Sequence, residues 1–430
     1  MNLIKNFSLT ITSNILFTVL GLINNIIISR QIGVDGRGLY SVIMTFILFS
    51  FLILGDGIRR SSTFYASQSR CNPLLLSRNA IVVSSSSIVL LSILQYHFDI
   101  FSSYLPGIDQ DYIYLAVVVV GLMTYSQSVQ AIFLGLQKIS IFNILMISTS
   151  LINVIINIFG ILIWNFHLKE LIYSYFTANL ITSLFAFIKI ENFENNKPKI
   201  ENLRFISKLA LTSKATISNL LVFIVLRGGI LISNIYLSSV KIGLYSIAIF
   251  FFEMIQKIPN TIGSFVFSLT ANDTSEENDL RTLKLIRAMF LLDTTAIIFL
   301  LILGRLLIVF LWGEEFAESI VLIYYMYPAF LFVGPSSVLY AYFMGKGYPI
   351  KVILLNLVTA FLLVIFIFFF IKTYKIESVA IITSLAISMW TIVLIIFFKH
   401  QTSYRFVDIF IITKSDITEL SNGIKRLSGK

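Results

Sequence analysis

Residues 350–371 read IKVILLNLVTAFLLVIFIFFFI, with one lysine, one asparagine and neither proline nor glycine. As an α-helix at 1.5 Å per residue the run measures about 33 Å, enough to cross a bilayer core of about 30 Å. A helix that is apolar all round belongs inside a membrane or a large core, not on a soluble surface. Working outward, the same signature recurs along the chain. The expected spans are 9–30, 38–58, 79–98, 112–134, 139–163, 169–189, 209–235, 242–264, 286–309, 320–343, 350–371 and 377–398. Hydrophobic residues make up 57% of the 430 residues, charged residues 13%, and mean hydropathy is +0.89. A soluble fold of this length has nowhere to hide that much apolar surface. The expected class is an all-α integral membrane protein of about twelve transmembrane helices. The first run is too long for a signal peptide. It carries Asn14, Asn24 and Asn25, and it leads into Arg30-Gln31-Ile32-Gly33 without a small-residue cleavage site, so it is expected to remain as a span.

Lysine and arginine placement gives the orientation. With the N-terminus in the cytoplasm, inner segments hold 22 of the 32 basic residues and outer segments 7. The other three, Lys214, Arg227 and Lys257, lie inside spans, more than four residues from either end. Both ends are therefore expected in the cytoplasm. The net charge of +10 is accounted for by this bias and by contact with anionic lipid, and calls for no nucleic acid. Cys71 is the single cysteine, which excludes an intrachain disulfide.

An internal repeat is visible. Gly38-Leu39-Tyr40-Ser41 opens the second span and Gly243-Leu244-Tyr245-Ser246 the eighth, 205 residues later. Gly135-Leu136-Gln137-Lys138 and Gly345-Lys346-Gly347-Tyr348 match more loosely, 210 residues apart. Six spans per half is an even number, so both halves share one orientation, as in parallel-repeat carriers. The expected organisation is an N-terminal six-helix bundle over 1–190, a cytoplasmic linker over 191–208, a pseudo-symmetric C-terminal six-helix bundle over 209–398 and a cytoplasmic tail over 399–430.

Charges inside spans cost roughly 2.5–3.5 kcal/mol each at the bilayer centre, so each needs a reason. Arg227 lies just past the middle of span seven. Glu253 and Lys257 in span eight stand at i and i+4 and share a face on which they can pair. Asp293 lies in span nine, Lys214 near the start of span seven, and Asp56, Arg59 and Arg60 at the inner end of span two. One reading is a water-filled cavity lined with cations for an anionic head group, which an arginine fork suits. The other is structural pairing or snorkelling. Asn153, Asn157 and Asn356, and the run Ser84–Ser87, are expected to glue helices together. The chain carries no GxxxxGK[ST] phosphate loop, and His97, His167 and His400 are too dispersed for a metal site. No cofactor is expected. Asp109-Gln110-Asp111 is a DxD triplet, the pattern with which some glycosyltransferases hold a divalent metal, here in an acidic outer loop.

The stretch Ser29-Arg30-Gln31-Ile32-Gly33-Val34-Asp35-Gly36-Arg37-Gly38-Leu39-Tyr40 resembles the first outer loop of Wzx-type polysaccharide and O-antigen flippases, members of the multidrug/oligosaccharidyl-lipid/polysaccharide exporter superfamily. Further matches follow in order: Gly55-Asp56-Gly57 at the end of span two; Arg227 through Ile242-Gly243-Leu244-Tyr245; Phe252-Glu253 with Ile258-Pro259; and Trp312-Gly313-Glu314-Glu315-Phe316 after span nine. The resemblance covers essentially the whole chain. It implies two six-helix bundles of the kind found in multidrug transporters of that superfamily, in a bacterial inner membrane. It also implies a substrate, an oligosaccharide repeat unit on undecaprenyl pyrophosphate moved from the cytoplasmic to the periplasmic leaflet, and work beside an O-antigen polymerase and a chain-length regulator. On this reading Arg227, Arg30, Lys257, Lys214 and Arg59 are the cationic substrate-binding candidates, and Glu253, Asp293 and Asp56 the ion-coupling candidates. Many relatives carry an acidic residue just before the basic one in span seven. Here Leu226 stands there, which leaves Arg227 without an adjacent counter-ion. Other exporters of the superfamily (capsule, exopolysaccharide, teichoic acid, or a drug/cation antiporter) share this outline. A membrane glycosyltransferase or polymerase would need larger outer loops than these, and a scaffold protein would not need charges inside its spans.

Overall fold

The computed structural model describes residues 2–68, 72–99, 101–102, 105–193, 205–272, 275–402 and 404–410, with side chains from residue 12 and, in the seventh helix, from residue 213. Arg70, Cys71, most of the 191–208 linker and the tail beyond 410 lie outside the described residues, as do the side chains of Lys5 and Lys208. The described chain is helical: α1 (Asn2–Leu54), α2 (Asp56–Ser67), α3 (Pro73–Phe98), α4 (Gln110–Gly135), α5 (Ile139–Trp164), α6 (Leu168–Glu191), α7 (Phe205–Tyr236), α8 (Ser239–Asn272), α9 (Glu276–Trp312), α10 (Ser319–Tyr325), α11 (Tyr327–Gly345) and α12 (Pro349–Gln401). Two short 3-10 turns follow α9 and α12.

Ten of these helices are long and apolar enough to cross a membrane. Two of the ten, α1 and α12, run to 53 residues, twice the length of a span. Each is interrupted by one non-helical residue, Gly33 (φ 65°, ψ −173°) in α1 and Lys375 (φ 48°, ψ −138°) in α12. These breaks fall between the expected spans one and two and between spans eleven and twelve, so the twelve expected segments are present. The first connection between spans, expected as a loop over 31–37, is instead helical apart from Gly33. That residue alone takes up a conformation essentially reserved for glycine. Span ten is cut at Met326 into α10 and α11, because Pro328 in the first turn of α11 has no N–H to continue the ladder. Helix α9 begins ten residues earlier than expected. Its polar extension is supported by Glu276, Glu277 and Asp279 in the first turn, where carboxylates complement the helix dipole.

The chain packs as two compact units. The first comprises 1–223, 230–246 and 311–315, the second 224–229, 247–310 and 316–430. In the first, the two GLYS stretches meet. A Cβ added at Gly38 would collide with the carbonyl oxygen of Ser239, and one at Gly243 with the carbonyl oxygen of Val34. The contact obeys the repeat: Val34 and Gly38 correspond to Ser239 and Gly243 at the same offset of 205. Each glycine therefore lies on the carbonyl four residues upstream of its own counterpart. Asp35 accepts a hydrogen bond from Ser239 Oγ, and Arg37 Nε donates to Ser246 Oγ at 3.2 Å. The looser repeat is also physical. Gln137 and Gly347 both take positive φ, as do Asn165 and Lys375, each pair 210 residues apart.

Polar glue holds the same unit. Asn24 Nδ2 donates to Asn153 Oδ1 at 2.7 Å, and Asn157 Nδ2 donates to Asn24 Oδ1 at 2.7 Å. Asn153 Nδ2 donates to Ser174 Oγ at 3.1 Å, and Ser174 Oγ donates back to Asn157 Oδ1. The ring ties α1, α5 and α6. Ser84 Oγ donates to the Gly121 carbonyl at 2.6 Å where α3 and α4 approach closely. Asn153, Asn157 and Ser84 thus do what their positions in spans suggested. Interhelical hydrogen bonds in membranes average about 0.6 kcal/mol, so Asn157→Val, which breaks two between helices and one within α5, is expected to cost about 1 kcal/mol. A lowered melting temperature in detergent, with a fold that still purifies as one species, is the outcome to look for.

In the second unit, Val266, Ile286, Phe290, Tyr342 and Phe398 lie in one buried core. Asp279 accepts from Tyr342 Oη at 2.9 Å and from Lys346 Nζ at 2.7 Å. The turn Phe406–Ile409 docks onto α9: Arg287 Nε donates to the Asp408 carbonyl at 2.7 Å, and Phe410 packs on Phe290. Hydrogen bonds from Arg405 hold the partly exposed Asp408 carboxyl below its usual range.

Candidate functional site

The in-span charges resolve into two arginine–carboxylate clusters, one in each unit. In the second unit, Arg227 on α7 reaches Glu253 on α8. Nε lies 2.5 Å from Oε1 and Nη2 lies 2.6 Å from Oε2, the two-point fork that arginine and carboxylate geometry favours. The side chains remain 22% and 25% exposed. Two sequence expectations are corrected here. Arg227 does not lack a counter-ion, because the neighbouring helix supplies one in place of the apolar Leu226. Glu253 does not pair with Lys257 one turn along its own helix; its carboxylate is taken by Arg227, and Lys257 is exposed. The reason is geometric. Two parallel N–H groups grip both carboxylate oxygens, whereas an ammonium at i+4 offers a single point charge on a flexible stem.

In the first unit, Asp56 is fully buried at the start of α2. Its Oδ1 accepts from Nε of Arg59 at 2.9 Å and from Nη2 of the same guanidinium. Its Oδ2 accepts from Arg60 Nε at 2.7 Å, with Asn219 Nδ2 at 3.5 Å. Three residues of one short helix, spaced i, i+3 and i+4, fold onto one another as that spacing dictates. The sequence reading singled out Asp56, Arg59 and Arg60 as a cluster but took only Arg59 as a ligand. Asn219 from α7 carried no signal that could have found it.

The remaining candidates stand apart. Arg30 is exposed and its Nε donates to the Leu311 carbonyl at 2.8 Å. It lies at the opposite end of the second span from Arg59, about 30 Å away by helix rise. Beside it Trp312 Nε1 donates to Asn25 Oδ1 at 2.9 Å. Lys214 is exposed. Asp293 is fully buried: Oδ2 accepts the Gly334 N–H at 2.8 Å and Oδ1 has no partner among the described residues. Pro335 follows, inside α11, where its missing N–H leaves the helix ladder one donor short. Among the described residues no group of three or more His, Cys, Asp or Glu could hold a metal ion.

No protein-family model matches the sequence, and no curated protein matches it. Solved structures do. The lipid II flippase MurJ in an inward closed conformation superposes with a TM-score of 0.71 at 16% identity, covering 94% of this chain and 89% of that one. An inward-facing multidrug resistance MATE transporter of the MOP superfamily gives 0.69 at 15% identity, covering 90% and 94%. A MATE transporter bound to the ligand MaL6 gives 0.62 at 15% identity, covering 91% and 94%. At such identities the likeness speaks for architecture: the chain has the fold of these MATE transporters and of the MurJ flippase.

Proposed function

We propose that the protein is a lipid-linked oligosaccharide flippase, which carries undecaprenyl-pyrophosphate-linked repeat units from the cytoplasmic to the periplasmic leaflet of a bacterial inner membrane by alternating access. The observation that carries this reading is the Arg227–Glu253 pair, a forked ion pair within two spans that keeps about a quarter of its surface open. Charge at that depth faces a protein interior or a wet cavity, not lipid. A phosphate oxygen competes for the same guanidinium fork that Glu253 occupies. Substrate capture then releases Glu253 from the arginine, which makes it the candidate for ion coupling. The glycan, which hydrocarbon excludes, travels through the polar interior while the prenyl tail stays in lipid. Outward movement of negative charge also gains about 2.3 kcal/mol per charge per 100 mV of inside-negative potential.

The experiment is complementation of a flippase-null strain, with lipid-linked intermediates assayed leaflet by leaflet. Expected is clearance of the cytoplasmic-leaflet pool and return of surface polysaccharide. A second reading, a cation or drug antiporter, is favoured by the buried carboxylate of Asp293, one oxygen of which has no partner among the described residues. Ethidium resistance without clearance of the lipid-linked pool would establish that reading and reject the flippase.

A further inference from the structure

The two clusters differ in net charge, and that difference is informative. Arg227 and Glu253 cancel. Asp56, Arg59 and Arg60 sum to +1, and the single carboxylate is the buried member. The two arginine side chains are the partly exposed members, at 33% and 30%. An arginine carries five N–H donors. Arg60 spends one of them, at Nε, on Asp56, and both of its terminal nitrogens remain unspent. Arg59 spends Nε and Nη2 on one oxygen and keeps Nη1. Neither side chain has another partner among the described residues. The buried carboxylate therefore acts as an orienter. It holds two forks side by side, pins one edge of each, and leaves the opposite edges and the surplus charge available.

We infer that Arg59 and Arg60, held in place by Asp56, form a pyrophosphate clamp that receives the head group of the incoming lipid before it reaches Arg227. The inference rests on the flippase reading and adds a loading site to it. Two adjacent forks match the two phosphoryl groups of a pyrophosphate, and arginine donates to phosphate oxygens in pairs. The cluster lies at the end of span two that the basic-residue bias places in the cytoplasm, the side from which the substrate is loaded. A net-positive site attracts a dianion over a distance, which a neutral ion pair does not. Capture by the clamp and transfer to Arg227 are then separate events.

The test is binding of radiolabelled geranylgeranyl pyrophosphate to the full chain in phosphatidylcholine nanodiscs, with inorganic pyrophosphate as competitor. Wild-type protein is expected to bind the labelled lipid and to lose it to inorganic pyrophosphate. Arg59→Gln and Arg60→Gln are expected to weaken binding at least tenfold. Arg60→Lys, which keeps the ion pair but not the fork, should also bind more weakly, and it covers the case in which the glutamine variants do not fold. Arg78→Gln, an exposed arginine early in α3, should leave binding unchanged. Asp56→Asn gives the sharpest readout. It removes a negative charge, so a diffuse electrostatic site would tighten, whereas an oriented clamp loosens severalfold. Wild-type affinity in the Arg59 and Arg60 variants would overturn the clamp and leave the flippase reading standing. Displacement of the probe by phosphatidylglycerol in the disc would reassign the cluster to general anionic-lipid anchoring, also against the proposal. A wild-type protein that binds no prenyl pyrophosphate would remove the substrate reading itself.

Discussion

Arg227→Ala is expected to abolish glycan export and to lower stability by about 3 kcal/mol, because it strands Glu253 within a span with nothing to satisfy it. The estimate takes the lower end of the range for broken buried pairs, since both side chains keep some exposure. The two effects separate in the double variant. Arg227→Ala with Glu253→Gln removes both charges and is expected to recover most of the stability while export stays at zero. The charge swap, Arg227→Glu with Glu253→Arg, keeps the pair and moves the guanidinium from α7 to α8. If Arg227 is a substrate ligand, the swapped protein folds and fails to transport. Normal surface polysaccharide from the swap would show that the pair only fastens two helices, and the role given to Arg227 would be lost. Melting temperatures in detergent and leaflet-resolved intermediates read the two quantities independently.

The second large effect is expected at the glycine crossing of the first unit. Gly38→Ala and Gly243→Ala each drive a methyl group into a backbone carbonyl, a partner that cannot rotate away. The helices must separate, and each substitution is expected to cost about 3 kcal/mol, the upper range for overpacking. Gly21→Ala is the control. Nothing lies within 4 Å of its added methyl group, and alanine in a helix is favoured over glycine by roughly 0.5–1 kcal/mol. The double variant should fall short of additivity, because the first substitution already opens the gap that the second requires. A Gly38→Ala protein that melts with the wild type would refute the close contact.

Much of the architecture was legible in the sequence because bilayer thickness sets a length and hydrocarbon sets a composition. The run at 350–371 carries both. What periodicity does not carry is how one span is joined to the next. Gly33 and Lys375 each turn a corner within one residue, where polar runs such as 31–37 read as loops. Partners between helices were less legible still. Asn153 and Asn157 announced a shared face, and the structure supplies Asn24 and Ser174 to meet them. Glu253 sat beside Lys257 in sequence, and nothing local indicates that a residue 26 positions away holds it more tightly. The repeat was visible as four letters. Its meaning required three dimensions, since the letters mark where two chain segments touch and not only where each one turns.

That contact has a bearing on descent. A two-fold relation requires that if residue i touches residue j, then j touches i, and the crossing at Gly38 and Gly243 satisfies this with Val34 and Ser239 as its reciprocal members. A half-length ancestor carrying one such motif would have met a second copy of itself at this same point.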